Sequence, residues 1–195
     1  LYQIHWPDAS TPVSETMEAI NILLEQGKIR AAGVCNYDHD LLAESLNHAP
    51  IVSDQVPYSM VRRDIEENLV PFCVENGAGI LAYSPLQRGL LTGKFKPGQK
   101  FNQGDSRPDT PYFQPENIKR TNAFLDKIKP IAEDRSMTLA QLVLRWTIEQ
   151  DGISCALAGA RNPEQVRDNA GALNRDLTSG DINFINEQLN NLIIE

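Results

Sequence analysis

The sequence predicts a parallel α/β protein built as a (β/α)8 TIM barrel, on three observations. Short apolar runs alternate with amphipathic segments along the chain, which implies parallel strands joined by right-handed helical crossovers. His5, Asn36, Gln55, Tyr83 and Arg161 fall at or just beyond the C-terminal ends of five different apolar runs, where a barrel gathers its site. The first run is not followed by the Gly-x-Gly-x-x-Gly turn of a doubly wound dinucleotide-binding sheet.

The elements follow in order. Residues 1–5 read as a strand. Thr11 and Pro12 open a helix whose Val13, Met17, Ile20 and Leu24 keep helical spacing until Gly27 stops it. Residues 29–35 form the next strand, Asp38 caps a helix with Leu42 and Leu46 on one side, and residues 51–56 form a third strand. A helix over 64–76 turns Leu69, Phe72 and Cys73 inward, and residues 79–83 form a strand. Residues 95–115 are rich in Gly and Pro without periodicity. A loop of about 20 residues is long for a compact domain, and it reads as a ligand-covering segment. Helices are expected over 116–135 and, from a Thr138/Gln141 capping box, over 139–150. The last strand is 153–157; Asn162 as N-cap and Pro163 at N1 start the next helix, and Thr178-Ser179 start a final one reaching about residue 192. Trp146 lies at helical spacing with Leu139 and Leu142 and belongs to the core, whereas His39, His48 and the acidic run from Asp181 to Glu195 read as solvated surface.

Composition narrows the function classes. The 195 residues are 41% hydrophobic with a net charge of −8 and a sequence pI near 4.9. That field disfavours nucleic acid or an anionic membrane as the main partner, and no apolar run approaches the ~20 residues needed to span a bilayer. The three cysteines, Cys35, Cys73 and Cys155, have no metal-ligand spacing and read as reduced, buried thiols. A cytoplasmic globular enzyme without metal fits this balance.

Against the acidic background, two cationic spots stand out. The tract AYSPLQRGLLTGK (82–94) turns a strand into a Gly-rich loop in which amides near Gly89 and Gly93, the Ser84 and Thr92 hydroxyls, and the charges of Arg88 and Lys94 suit a pyrophosphate. The ring of Tyr83 stands just ahead of it. The segment GARNPEQVRDN (159–169) places Arg161 before a helix N-terminus, with Gln165 and Asn169 four apart on one helix face. Two anion sites point to a dinucleotide with separate phosphate groups.

These tracts, together with LYQIHWPD (1–8), GKIRAAGVCN (27–36) and QVPYS (55–59), resemble the aldo-keto reductase family in their order along the chain. The resemblance covers nearly the whole sequence and begins in the strand that carries the family's catalytic His. It implies that residues 1–195 are the C-terminal part of one barrel domain, about the last five βα units, since a complete barrel typically has ~250 residues. Carried over by residue, it implies that His5 orients a substrate carbonyl and supports proton transfer, and that Trp6 lines the substrate pocket. Asn36 and Gln55 would hold the nicotinamide carboxamide and Tyr83 would stack on the ring. Ser84, Leu86, Arg88 and Lys94 would bind pyrophosphate, the Leu through its backbone. Gly159, Arg161, Gln165 and Asn169 would take the adenosine end, and a cation at Arg161 favours NADP(H) over NAD. Cys35 departs from the Ser common in the family.

The implied function is NADPH-dependent reduction of a small aldehyde or ketone, or the reverse. The Asp, Tyr and Lys of the family's catalytic set have no counterpart in this sequence, so the chain by itself is expected to be inactive. Two other classes fit the same residues: an NADP(H)-binding regulatory or scaffold subunit of the same fold, and a phosphate-binding barrel of different chemistry. Substrate identity and oligomeric state are left open by the sequence.

Overall fold

The computed structural model describes residues Leu1–Glu195. They form two compact units, one of Leu1–Tyr58, Arg63–Tyr83 and Gln150–Leu157, the other of Ser59–Arg62, Ser84–Glu149 and Ala158–Glu195.

The first unit is a parallel sheet of β1 (Tyr2–Ile4), β2 (Ala32–Cys35), β3 (Ile51–Pro57), β4 (Gly79–Tyr83) and β5 (Ile153–Leu157), with helices α1 (Val13–Glu25), α2 (His39–His48) and α3 (Leu69–Asn76). The strands lie side by side in sequence order, and each neighbouring pair is parallel. This is the succession that repeated βαβ units generate. Each strand therefore delivers its C-terminal residue to the same end of the sheet. Small residues let the strands come close: a Cβ on Gly33 would lie 2.4 Å from Ser53 Oγ, and one on Gly79 would lie 2.7 Å from Ser154 Oγ.

The local signals for the helices hold, with instructive exceptions. Met17 and Ile20 of α1 are buried. The helix ends with Gly27 at φ 66°, where the Gly27 amide donates to Leu24 O and the Lys28 amide to Leu23 O, both at 3.0 Å. Such a left-handed close suits a residue without Cβ. The Ile29 amide also turns back to Leu23 O, at 3.4 Å, so β2 begins at Ala32 rather than at residue 29. The helix expected over 64–76 is broken into a 3-10 turn, Asp64–Glu66, and α3. Pro71 fits the break, because its ring and missing N–H are accommodated most easily in a helix's first turn. Phe72 is half-buried rather than inward. It meets His39 edge-on at 4.6 Å, so one part of that ring is covered while the His39 side chain stays 44% exposed, and its Nδ1 lies 2.8 Å from Asp40 Oδ1. Cys35 and Cys73 are buried thiols, whereas Cys155 is only half-buried.

The second unit is helical: α4 (Pro115–Asp134), α5 (Leu139–Ile148), α6 (Pro163–Ala170) and α7 (Ser179–Asn190), with 3-10 turns at Gln87–Thr92, Pro111–Phe113 and Gly171–Asn174. Ile118, Leu125, Ile128, Leu142, Trp146 and Ile185 are essentially excluded from solvent, as their helical spacing requires. The Trp146 indole Nε1 donates to Asn186 Oδ1 at 2.8 Å, satisfying the one polar atom that its burial would otherwise strand. Thr138 and Thr178 both close capping boxes. The acidic start of α7 is not a solvated face: Asp181 is only 19% exposed and pairs with Arg135 at 2.5 Å. The segment after Lys94 has no helix or strand before Pro111, as its composition suggests, yet it is packed. Phe95, Phe101 and Tyr112 pack on a small core of Leu90, Phe113 and Ile118, and the Arg107 guanidinium lies 5.2, 5.2 and 5.9 Å from the Phe95, Phe101 and Phe113 ring centroids. No helix in either unit is long and apolar enough to cross a membrane.

Candidate functional site

At the C-terminal end of the sheet, Asn36 is the junction of the residues expected at the nicotinamide end. It follows β2 in a left-handed conformation, φ 61°, which Asn tolerates better than most residues. Its backbone amide donates to Gln55 O at 3.0 Å. Its side-chain Nδ2 donates to His5 O at 3.2 Å and to Cys35 Sγ at 3.1 Å, and its Oδ1 accepts from the Tyr83 hydroxyl at 2.8 Å. Strands β1 to β4 are thus linked through one residue, β3 through its backbone amide and β1 and β4 through its side chain. The His5 carbonyl can only accept, so Nδ2 faces it and Oδ1 is left to the Tyr83 hydroxyl, which gives the amide a single orientation. Cys35 Sγ is the second acceptor for Nδ2. Burial, with a smaller contribution from the charge of Asp54, raises the pKa of its thiol, so it stays protonated at neutral pH. His5 is exposed, and its ring centre lies 6.1 Å from that of Trp6, which is 59% exposed.

In the helical unit, the expected phosphate cradle is an unusual backbone. Ser84, Gln87 and Arg88 have φ of 57°, 44° and 54°, and Gly89 and Gly93 have 93° and 72°. The left-handed residues fold the tract into successive tight turns, in which the Gln87, Gly89 and Gly93 amides donate to Ser84, Leu86 and Leu90 O at 2.8, 2.9 and 3.2 Å; the glycine amides expected at a pyrophosphate are therefore already bonded within the loop. For residues with a Cβ such a conformation costs on the order of 1 kcal/mol or more each, and it persists only where the surroundings impose it. Here they do: Leu90 and Leu91 are fully buried, the Ser59 hydroxyl donates to the buried Gln87 Oε1 at 3.1 Å, and the Thr92 hydroxyl donates to Gly89 O at 2.7 Å. Lys94 is exposed. Arg88 donates to Ser106 Oγ at 3.0 Å and lies 3.8 Å from Asp105. Hydrogen bonds from Arg107 hold the Asp105 carboxyl down to about 2, so a bound phosphate would have to share the Arg88 guanidinium with an ionised carboxylate.

The other expected cluster is also assembled within this unit. Asn162 caps α6 by accepting from the Gln165 amide at 2.9 Å, and the Arg161 amide donates to Gln165 Oε1 at 2.8 Å. Asn169 Nδ2 reaches back to Gly159 O at 3.3 Å. Gly159, Arg161 and Gln165 are exposed and Asn169 is half-buried, and a Cβ on Gly159 would meet nothing within 4 Å. The residues fit a phosphorylated nucleoside: a guanidinium and a helix N-terminus for charge, and two amides for ribose and base.

The sequence reading missed several supporting residues. Gln87, Asp105 and Ser106 shape the cradle, yet only Gln87 lies within the motif. Asp54, on β3 beside Gln55, is completely buried, and neither of its carboxylate oxygens has a well-formed hydrogen bond. Burial pushes its carboxyl up to about 7, opposed by the backbone amide of Tyr37 and, less, of Gln55, with the negative charge of Asp38 adding to the rise. Its place between apolar Val52 and Val56 in a strand was the available signal.

The sequence profile of the Aldo/keto reductase family matches residues 1–190. The chain is 36% identical over 190 residues to the NADH-specific methylglyoxal reductase of Escherichia coli, covering 96% of this chain and 58% of that protein. It is 36% identical over 194 residues to the aldo-keto reductase YhdN of Bacillus subtilis, covering 99% and 59%. Among solved structures, the glycerol dehydrogenase AKR11B4 from Gluconobacter oxydans superposes with a TM-score of 0.92 at 33% identity, over 99% of this chain and 59% of that one. The chain therefore spans about three-fifths of the length of the relatives it matches, and its five parallel strands share the (β/α)8 barrel fold of those reductases. The chain belongs to the aldo/keto reductase family.

Proposed function

We propose that the protein is an NADP(H)-dependent oxidoreductase that interconverts small aldehydes or ketones and their alcohols. The observation that carries this reading is the Asn36 junction, which ties the end of β1, Gln55 and Tyr83 into one rigid group at the strand ends. Asn36, whose two N–H donors are used within the junction, offers the second lone pair of Oδ1, the Gln55 amide offers a donor and an acceptor for a nicotinamide carboxamide, and Tyr83 supplies a flat face anchored through its hydroxyl. The nicotinamide, when bound, supplies the hydride. His5 orients the carbonyl and assists its protonation, and Trp6 shapes the pocket. In the helical unit, Ser84, Leu86, Arg88 and Lys94 serve the pyrophosphate, and Gly159, Arg161, Gln165 and Asn169 serve the adenosine end.

The preference for the phosphorylated cofactor rests on Arg161, exposed beside the N-terminus of α6. A 2′-phosphate offers that guanidinium a charge-assisted partner. The E. coli relative is named as NADH-specific, so cofactor choice is a property of individual residues here rather than of the family as a whole. Fluorescence titration of the full-length protein with NADPH and with NADH, followed by turnover assays on a panel of small aldehydes and ketones, tests the reading. Tighter binding of NADPH and carbonyl-dependent oxidation are expected. Equal affinities would remove the role given to Arg161, and failure to bind either cofactor would overturn the whole reading.

A further inference from the structure

Helix α6 has eight residues, and none of them is buried. Its one aliphatic residue besides Ala170, Val166, is 56% exposed. A helix this short is not stable in water by itself, and this one has no apolar face to dock. What joins it to the unit is polar. Gln141, on the first turn of α5, donates through Nε2 to Asp168 O at 2.8 Å and to Asp168 Oδ1 at 3.0 Å.

The same amide has a second bond that sets its direction. Gln141 Oε1 accepts from the Thr138 amide at 2.9 Å, and the Thr138 hydroxyl accepts from the Gln141 amide at 3.2 Å. With its oxygen held by the capping box, the Gln141 side chain has its NH2 group left to face α6. Gly171 leaves the space for it. This glycine has φ −58°, an ordinary helical value that demands no glycine, yet a Cβ there would lie 2.5 Å from Gln141 Nε2. Asp168 adjoins Asn169, and Asn169 and Gln165 hold the backbone of Gly159 and Arg161. The clasp is therefore connected, bond by bond, to the residues that face the nucleotide.

We infer that Gln141 is a positioning residue for cofactor recognition: its amide clasps α6 to the start of α5 and so holds Arg161, Gln165 and Asn169 in the arrangement that receives the 2′-phosphorylated adenosine. This inference rests on the NADP(H) reading above.

Two variants of the full-length protein separate the clasp from general stability. Gln141→Glu keeps an acceptor for the Thr138 amide but removes the donor and sets a second carboxylate against Asp168. Gly171→Ala, compatible with its backbone angles, displaces only the end of the Gln141 side chain; replacing a helical glycine in this way otherwise tends to stabilise. Binding of 2′,5′-ADP and of NADPH is expected to weaken about tenfold in each, the scale of losing hydrogen bonds to a charged group. KM for NADPH should rise in parallel, with kcat at saturating cofactor within about twofold and the Tm of Gly171→Ala not lowered. The double variant should be no weaker than the worse single one, because both break the same contact. Unchanged affinities in Gly171→Ala, with normal binding by the unsubstituted protein, would overturn the clasp alone. If the unsubstituted protein does not bind 2′,5′-ADP, the cofactor reading falls, and the clasp's role in recognition falls with it.

Discussion

The hydroxyl of Tyr83 donates to Oδ1 of Asn36 at 2.8 Å, so the ring that closes β4 is tethered to the residue that closes β2. A ring fixed at both its backbone and its para position has little freedom to tilt. Tyr83→Phe keeps the ring and removes the tether, worth about 1 kcal/mol. Single-turnover hydride transfer is expected to slow about fivefold, and Tyr83→Ala to slow it further, with smaller losses in cofactor affinity because the phosphate contacts remain. Stopped-flow measurement decides this, and an unchanged rate in both variants would remove Tyr83 from the site.

Arg161→Ala should weaken NADPH by about 1.5–3 kcal/mol, the scale of a hydrogen bond to a charged group, and leave NADH nearly unchanged. Its backbone amide, which holds Gln165, is retained in the variant. Titration with both cofactors checks it, and equal losses would show that the guanidinium does not read the 2′-phosphate.

Asp54 gives a pH signature in the opposite sense to a salt-bridged carboxylate. Its carboxyl has an ordinary value of 3.8, which burial raises to about 7. The folded chain therefore holds a proton that the unfolded chain has lost, and folding stability falls as pH rises through this window, by about 1.4 kcal/mol per pH unit at most. Below the window both states are protonated and the residue has no effect; above it the loss is complete. Asp54→Asn should accordingly match the parent in Tm only below the ordinary value of 3.8 and exceed it increasingly as pH rises to about 7. A difference that does not vary with pH would contradict the buried, proton-holding carboxyl.

Gly33 leaves no room for a methyl group. A Cβ there would sit 2.4 Å from Ser53 Oγ, 3.0 Å from Ser53 O and 3.3 Å from Gln3 Cγ, and the backbone oxygen cannot swing aside. Gly33→Ala is expected to destabilise by about 1–3 kcal/mol, the cost of overpacking, measured by chemical denaturation. Adding Ser53→Gly should recover part of the loss, since it removes the hydroxyl but not the carbonyl.

Local signals in the sequence determined the strand Gly79–Tyr83, the caps at Asp38, Thr138, Asn162 and Thr178, and the parallel order of the strands. Caps and periodicity act over a few residues, so the chain states them directly. The residue types proposed for the cofactor were legible for a related reason: a glycine-rich turn or an Arg before a helix N-terminus has its chemistry written within one short segment. Tertiary structure decided what those groups touch. Asn36 meets Tyr83 across 47 positions of sequence, Arg88 meets Ser106 across 18, and Gln141 meets Asp168 across 27. It also turned the segment after Lys94 into a packed aromatic cluster, drew His39 against Phe72, and enclosed Asp54. Burial and long-range hydrogen bonding depend on which elements become neighbours, and no window of sequence contains that information.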